Sequence, residues 1–173
     1  SSKLRKSRVL SPTSEQRKQS SIRTSSTAFL AGFKLDPIIP IIKSKAAQLT
    51  GSPVSHIEII QVVRYQDGEH YGPHFDAMDF AKYPGEARKG QRIFTVLVYL
   101  NGMENESGQT IFPQLGLKIK PRQGSALFFH NTRPDGAIDK RTLHAGAPLT
   151  GPGMEKWSMN IWVRDKALPL QHR

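Results

Sequence analysis

Apolar positions in this chain follow two different spacings. Ile38, Ile41, Ile42, Lys45, Ala46 and Leu49 recur at the helical period. Asp36 stands before them as a side chain able to cap free backbone N–H groups, and Pro37 suits a first helical position. Pro40 still falls in the first turn, and Gly51 supplies a stop. The spacing predicts one helix whose apolar face lies on a sheet. Elsewhere the pattern is that of short strands, expected over residues 57–65, 93–101, 110–112, 117–120, 125–130 and 156–164, with a further β-prone run over 23–30. The last strand alternates cleanly. Trp157, Met159, Ile161 and Val163 fall on one face, and Lys156, Ser158, Asn160 and Trp162 on the other. The first set suits packing on the helix; the second faces a polar interior that an ordinary core does not need.

Turns rich in Gly, Pro and Asn separate these runs, and there is no internal repeat. Short strands with one helical segment predict a mostly β (α+β) fold, a double-stranded β-helix jelly roll with flanking helices. The 173 residues suffice for one domain with a single sizeable core. Residues 1–23 read as a basic, partly mobile segment ahead of a domain over 24–173. The polar stretch 77–91 has the length of a lid or binding loop, with an ordinary surface connection as the alternative.

Charge changes this picture little. Of the net +11, residues 1–23 carry +6 (seven basic side chains against Glu15), which leaves +5 for the other 150 residues. A mildly basic body without aromatics interleaved in a basic stripe argues against a nucleic-acid surface and for a solvated or substrate-steering tail. No apolar run reaches the roughly 18–20 residues of a membrane helix. The chain begins with Ser and shows no signal-peptide pattern, so it reads as a piece trimmed from a longer protein. There is no cysteine, and any bound metal must therefore be held by nitrogen and oxygen.

That restriction directs attention to His74-x-Asp76 and to His144, 68 residues after Asp76. Two histidines and one carboxylate are the ligand set of non-haem Fe(II) oxygenases, which leave positions open for oxygen and a co-substrate. On extended chain, residues i and i+2 point the same way, so His74 and Asp76 can grip one ion. His130 competes as third ligand, and a structural Zn(II) is chemically allowed by the same ligands. Lys156, facing inward, is costly without an anionic partner. His70 reads as a loop residue, and His56 and His172 as structural or exposed.

The ordered set Tyr65-x-x-Gly68-x-x-Tyr71-x-x-His74-x-Asp76, Gly108-Gln109-Thr110-Ile111-Phe112-Pro113, His144-Ala145-Gly146-x-Pro148, Lys156-Trp157-Ser158 and Trp162 resembles the catalytic domain of prolyl 4-hydroxylases, members of the Fe(II)/2-oxoglutarate-dependent dioxygenases. The resemblance covers about residues 20–165. It implies Fe(II) held by His74, Asp76 and His144, and 2-oxoglutarate anchored by Lys156, Tyr65 and Thr110 beside a wall formed by Trp162. It also implies a peptide groove lined by Tyr71, Glu58 and Arg92. The implied reaction consumes O2 and 2-oxoglutarate, releases succinate and CO2, hydroxylates peptidyl proline in proline-rich or collagen-like peptides, and depends on ascorbate. By the same resemblance the expected compartment is the endoplasmic reticulum or secretory pathway, against which the missing cysteines weigh. Two further departures stand out. Lys156 comes 12 residues after His144, two more than the family's habit, with Gly151-Pro152-Gly153 as the apparent insertion, and Arg164 stands where plant-type members tend to carry His. The alternatives are the same iron chemistry on another amino acid or an alkylated base, and a non-catalytic peptide-binding module.

Overall fold

The computed structural model of the chain describes residues 5–6, 23–30 and 36–169. Among the described residues, ten strands and one α-helix occur in the order β1 (Arg5–Lys6), β2 (Ser26–Phe29), α1 (Ile38–Thr50), β3 (Gln61–Gln66), β4 (Tyr71–His74), β5 (Arg92–Tyr99), β6 (Thr110–Phe112), β7 (Leu117–Ile119), β8 (Ala126–His130), β9 (His144–Gly146) and β10 (Glu155–Arg164). They form a six-stranded sheet ordered β1-β2-β3-β10-β5-β8 and a four-stranded sheet ordered β4-β9-β6-β7. Every pairing is antiparallel. This is the expected mostly β jelly roll, in which two sheets enclose a space between them.

The larger sheet divides the chemistry between its faces. Met159, Ile161 and Val163 of β10 join Val96 of β5, with Phe94 and Val98 packed alongside, and with Ile57, Ile60 and Ala46 of α1 they make the apolar core. Each such side chain removed from water contributes roughly 1.5–3 kcal/mol. The alternate residues of the same strands, Lys156, Ser158, Asn160 and Trp162 with Thr95 and Leu97, line a cavity on the other side. The alternation expected in β10 therefore holds for Met159, Ile161 and Val163, whereas Trp157 stays outside the apolar core, half-buried with its Nε1 donating to Glu155 Oε2.

Two expectations need correction. Helix α1 is present and ends at Gly51, but Ile38, Ile41 and Leu49 are about half exposed. The side packed on the sheet keeps Ile42 and Ala46 of the expected set and adds Ile39 and Ala47. A run with isoleucine at 38, 39, 41 and 42 offers two apolar stripes at helical spacing, and packing chose the other. The strand expected over 57–65 begins only at Gln61, after a 3-10 turn over Val54–His56. Ile57 and Ile60 both enter the core, and residues three apart cannot share one face of an extended strand. At the expected boundary, Arg23 is buried, and the backbone of Arg5–Lys6 pairs with Ser26 and Thr27. The rest of the 1–22 segment, and His172, lie outside the described residues.

The stretch 77–91 is neither strand nor loose loop. It contains a 3-10 turn over Pro84–Lys89, and Ala77 and Met78 at its start are buried. The Gln91 side chain accepts from Met78 N and donates to Met78 O (2.6 and 2.9 Å), so the stretch closes on itself.

Candidate active site

His74 ends β4 and His144 begins β9, and the two are cross-strand partners in one register. Asp76 comes two residues after His74. Their donor atoms all lie within 4.8 Å of one another. His74 Nε2 is 3.7 Å from Asp76 Oδ1, and His144 Nε2 is 3.8 Å from Asp76 Oδ2. Each imidazole has its other nitrogen fixed by a backbone carbonyl: Nδ1 of His74 donates to Gly72 O and Nδ1 of His144 to Thr142 O, both at 2.9 Å. A carbonyl can only accept, so both Nε2 atoms keep their lone pairs and aim them at one point. His130, the rival third ligand, is exposed and packs edge-on against Phe94.

The carboxylate is held as firmly. Thr95 Oγ1 donates to Asp76 Oδ2 at 2.8 Å, and Asn131 Nδ2 donates to Thr95 Oγ1 at 2.9 Å. Burial alone would raise the Asp76 carboxyl, but His144, His74, Arg92 and the Thr95 hydroxyl outweigh it and hold it at about 2. Burial and the neighbouring His144 push His74 down to about 4. Near neutral pH His74 is thus an uncharged imidazole beside an ionised Asp76, the forms in which each binds a divalent cation. Aromatic rings enclose it. Tyr71 stacks on His74 with centroids 3.6 Å apart, and Phe112 and Phe129 flank His144 at 5.5 and 5.2 Å.

Lys156 lies in the same cavity and is only 3% exposed. Its Nζ donates to Gly108 O and sits 4.9 Å over the Tyr65 ring. Among the described residues no carboxylate lies within ion-pair distance of it, and burial pushes its ammonium down to about 8. Gly108 allows this approach: its φ is +64°, and a Cβ there would stand 3.2 Å from Lys156 Cδ. The two extra residues before Lys156 are taken up by a turn in which Met154 N donates to Gly151 O and Gly151 N donates to Asp67 Oδ1. Lys156 consequently still pairs with Tyr65 across β3 and β10.

Tyr65, Thr110 and Trp162 line the cavity with Lys156, as do Tyr71 and Arg92. Glu58 does not, which corrects its expected place in the groove. Its carboxylate is occupied behind the cavity wall by Arg92 (2.6 and 2.9 Å) and Arg164 (2.7 Å). Arg92 in turn lies 3.8 Å over the Trp162 ring. A register shift after Val163 lets Arg92 reach the cavity although Phe94, two residues on, faces the core.

Several contributors lie beyond the residues singled out by sequence. Arg23 enters the cavity, donates to Ser25 Oγ at 3.0 Å and lies 4.5 Å over the Tyr71 ring. Tyr99 is fully buried and donates to Thr110 Oγ1 at 2.7 Å. Thr95 and Tyr99 were legible, since they alternate with Phe94, Val96 and Val98 in an expected strand. Arg23 carried no comparable signal inside a basic run.

Known proteins point the same way. Residues 60–164 match the model of the 2OG-Fe(II) oxygenase superfamily. The chain is 36% identical to probable prolyl 4-hydroxylase 3 of Arabidopsis thaliana over 177 positions, covering 91% of this chain and 60% of that one. Prolyl 4-hydroxylase 13 of the same plant is 36% identical over 144 positions, covering 75% and 51%. The chain thus spans between half and three fifths of these curated relatives. Among solved structures it is similar to the 2OG complex of the viral collagen prolyl hydroxylase of Paramecium Bursaria Chlorella virus-1, at 33% identity and a TM-score of 0.67, over 82% of this chain and 79% of that one. With the matched model covering more than half of its residues, and His74, Asp76 and His144 converging inside it, the chain belongs to the 2OG-Fe(II) oxygenase superfamily.

Proposed function

We propose that this chain is a prolyl 4-hydroxylase, coupling oxidative decarboxylation of 2-oxoglutarate to hydroxylation of peptidyl proline in proline-rich or collagen-like peptides. The observation that carries this reading is a buried, carboxylate-free Lys156 in one cavity with His74, Asp76 and His144. Names of the relatives support the choice of proline among possible substrates. Dioxygen as the second substrate and a need for ascorbate belong to the same proposal.

His74 and His144 would hold Fe(II) through Nε2 and Asp76 through its carboxylate. When bound, iron supplies the activation of dioxygen and the oxidising power for both half-reactions. The chain's own groups do the rest. Lys156 offers its ammonium to the far carboxylate of 2-oxoglutarate, with the Tyr65 hydroxyl on the same wall. Tyr99 donates its proton to Thr110 Oγ1, which leaves the Thr110 hydroxyl hydrogen free to point at that carboxylate. The aromatic rings of Tyr71, Phe112, Phe129 and Trp162 exclude water and strengthen these contacts. A cavity of about 560 Å³ accommodates the co-substrate and the end of a peptide. A proline-rich peptide arrives already stiff in the polyproline II shape, which lowers the cost of ordering it.

The test is succinate release with Fe(II), 2-oxoglutarate and ascorbate, with and without a polyproline or Ser-Pro-rich peptide, on wild type and His144→Ala. Peptide-dependent turnover that is lost in the variant, with gains of about 16 Da on proline, supports the reading. Turnover equal with and without every proline peptide would refute the substrate while leaving the iron chemistry.

A further inference from the structure

Arg164 is the last residue of β10 and is 1% exposed. Its guanidinium is fully engaged on three sides: Nε donates to Glu58 Oε1 (2.7 Å), one terminal nitrogen to Glu86 Oε2 (2.8 Å) and the other to Gly90 O. These partners lie on different parts of the molecule. Glu58 precedes β3 and grips Arg92 with both oxygens. Glu86 and Gly90 belong to the stretch 77–91, whose earlier residues Asp79, Lys82 and Tyr83 line the cavity. The same stretch is tied to the end of β10 a second time, because Gln91 N donates to Asp165 Oδ1 and Asp165 N to Gln91 O, both at 2.9 Å. Gly90, with φ at +79°, makes the fit, since a Cβ there would overlap the Asp165 carboxylate.

We infer that Arg164 is a positioning residue for the peptide half of the site. Through Glu86 and Gly90 it sets the stretch 77–91, and through Glu58 it sets Arg92, which lies over Trp162. It does not line the cavity itself. A single planar fork thereby joins two parts of the peptide-binding wall, while Lys156, Tyr65 and Thr110 stand outside the connection. A lysine could not satisfy the three acceptors, because an ammonium lacks the fork's fixed geometry. The inference rests on the prolyl hydroxylase reading for the word peptide, though not for the connection itself.

Glu86→Gln is the informative variant, because it takes the charge out of one of the two links from Arg164 to the stretch 77–91 and leaves Arg164 paired with Glu58 and Gly90 O. The expected result is a peptide KM raised about tenfold, as for loss of one charge-assisted hydrogen bond, with kcat and the 2-oxoglutarate KM within twofold of wild type. Glu86→Asp should restore much of the difference. Trypsin should also cut faster after Arg88 in Glu86→Gln than in wild type, Lys89 being set aside because its own ammonium pairs with Glu86. Arg164→Lys should show the same split more strongly. Unchanged peptide KM and unchanged cleavage in Glu86→Gln would overturn the inference, as would an equal rise in both KM values. If wild type hydroxylates no proline peptide, the substrate reading has failed instead, and the cleavage rates alone then decide the connection.

Discussion

Strand β10 opens with one buried cation and closes with another, and the two are treated in contrary ways. Arg164 has two carboxylates and a carbonyl around it. Lys156, equally withdrawn from water, has one carbonyl, and its ammonium is pushed down to about 8 by burial. A buried charge costs several kcal/mol unless it is paired. At Arg164 that cost is met within the fold, and the partners respond: despite burial, the Arg92 and Arg164 guanidiniums hold the Glu58 carboxyl below its usual range. At Lys156 it is left open. The lesson is that a satisfied buried ion is architecture, whereas an unsatisfied one beside a metal-binding triad is kept for an anionic ligand.

Breaking the architectural end should cost most. Glu58→Ala leaves Arg92 buried without its carboxylate and takes one of two carboxylates from Arg164, and a loss of about 3–5 kcal/mol is expected in urea unfolding. Thr95→Val removes the hydroxyl that holds Asp76, and iron affinity, measured by titration, should fall about tenfold or more, with a lower Tm as well because the buried Asn131 amide loses its acceptor. Tyr99→Phe frees Thr110 to rotate, so the 2-oxoglutarate KM should rise about three- to tenfold while the peptide KM stays put. At the small end, Arg133→Ala breaks a pair with Asp135 whose members are both more than half exposed, and no measurable change in Tm is expected. A large effect there would undermine the distinction between buried and exposed ions drawn above.

The pH dependence sharpens the contrast. Lys156 has a folded value near 8, below its ordinary 10.5, so between those values the unfolded chain binds more protons. Stability of the ligand-free protein should therefore rise as pH increases from about 8 to about 10.5. Affinity for 2-oxoglutarate should fall over the same range, because the ligand needs the ammonium. Glu58 and Glu86 work in the other direction. Their folded values lie below 4.5, and the stability they confer is present above that pH and lost as the solution is acidified through them.

How much of this could be read from residues alone depended on whether a local pattern was unambiguous. The alternation of residues 156–163 has one solution, and it located both the core face and the inward lysine. His74-x-Asp76 needs only extended chain to act as a pair, but lysine spacing could not separate His144 from His130, which has Lys140 ten residues on; the pairing of His74 with His144 across β4 and β9 does. Helix α1 was visible as an element, but a run of four isoleucines in five positions does not say which stripe is buried. Arg92 could not be assigned to the cavity by counting from Phe94, because a register shift reverses the parity between them. Arg164 looked like a replaced groove residue, and its partners, 78 and 106 positions away, exist only once the sheet and the 77–91 stretch are folded together.

The most direct measurement is on Lys156→Met, with 2-oxoglutarate binding monitored by calorimetry beside thermal unfolding of the ligand-free protein. The account predicts that 2-oxoglutarate affinity falls at least a hundredfold while the ligand-free Tm holds or rises, because the substitution removes a charge the fold leaves unpaired. A variant that binds 2-oxoglutarate like wild type, or one that loses Tm as Glu58→Ala does, would contradict it.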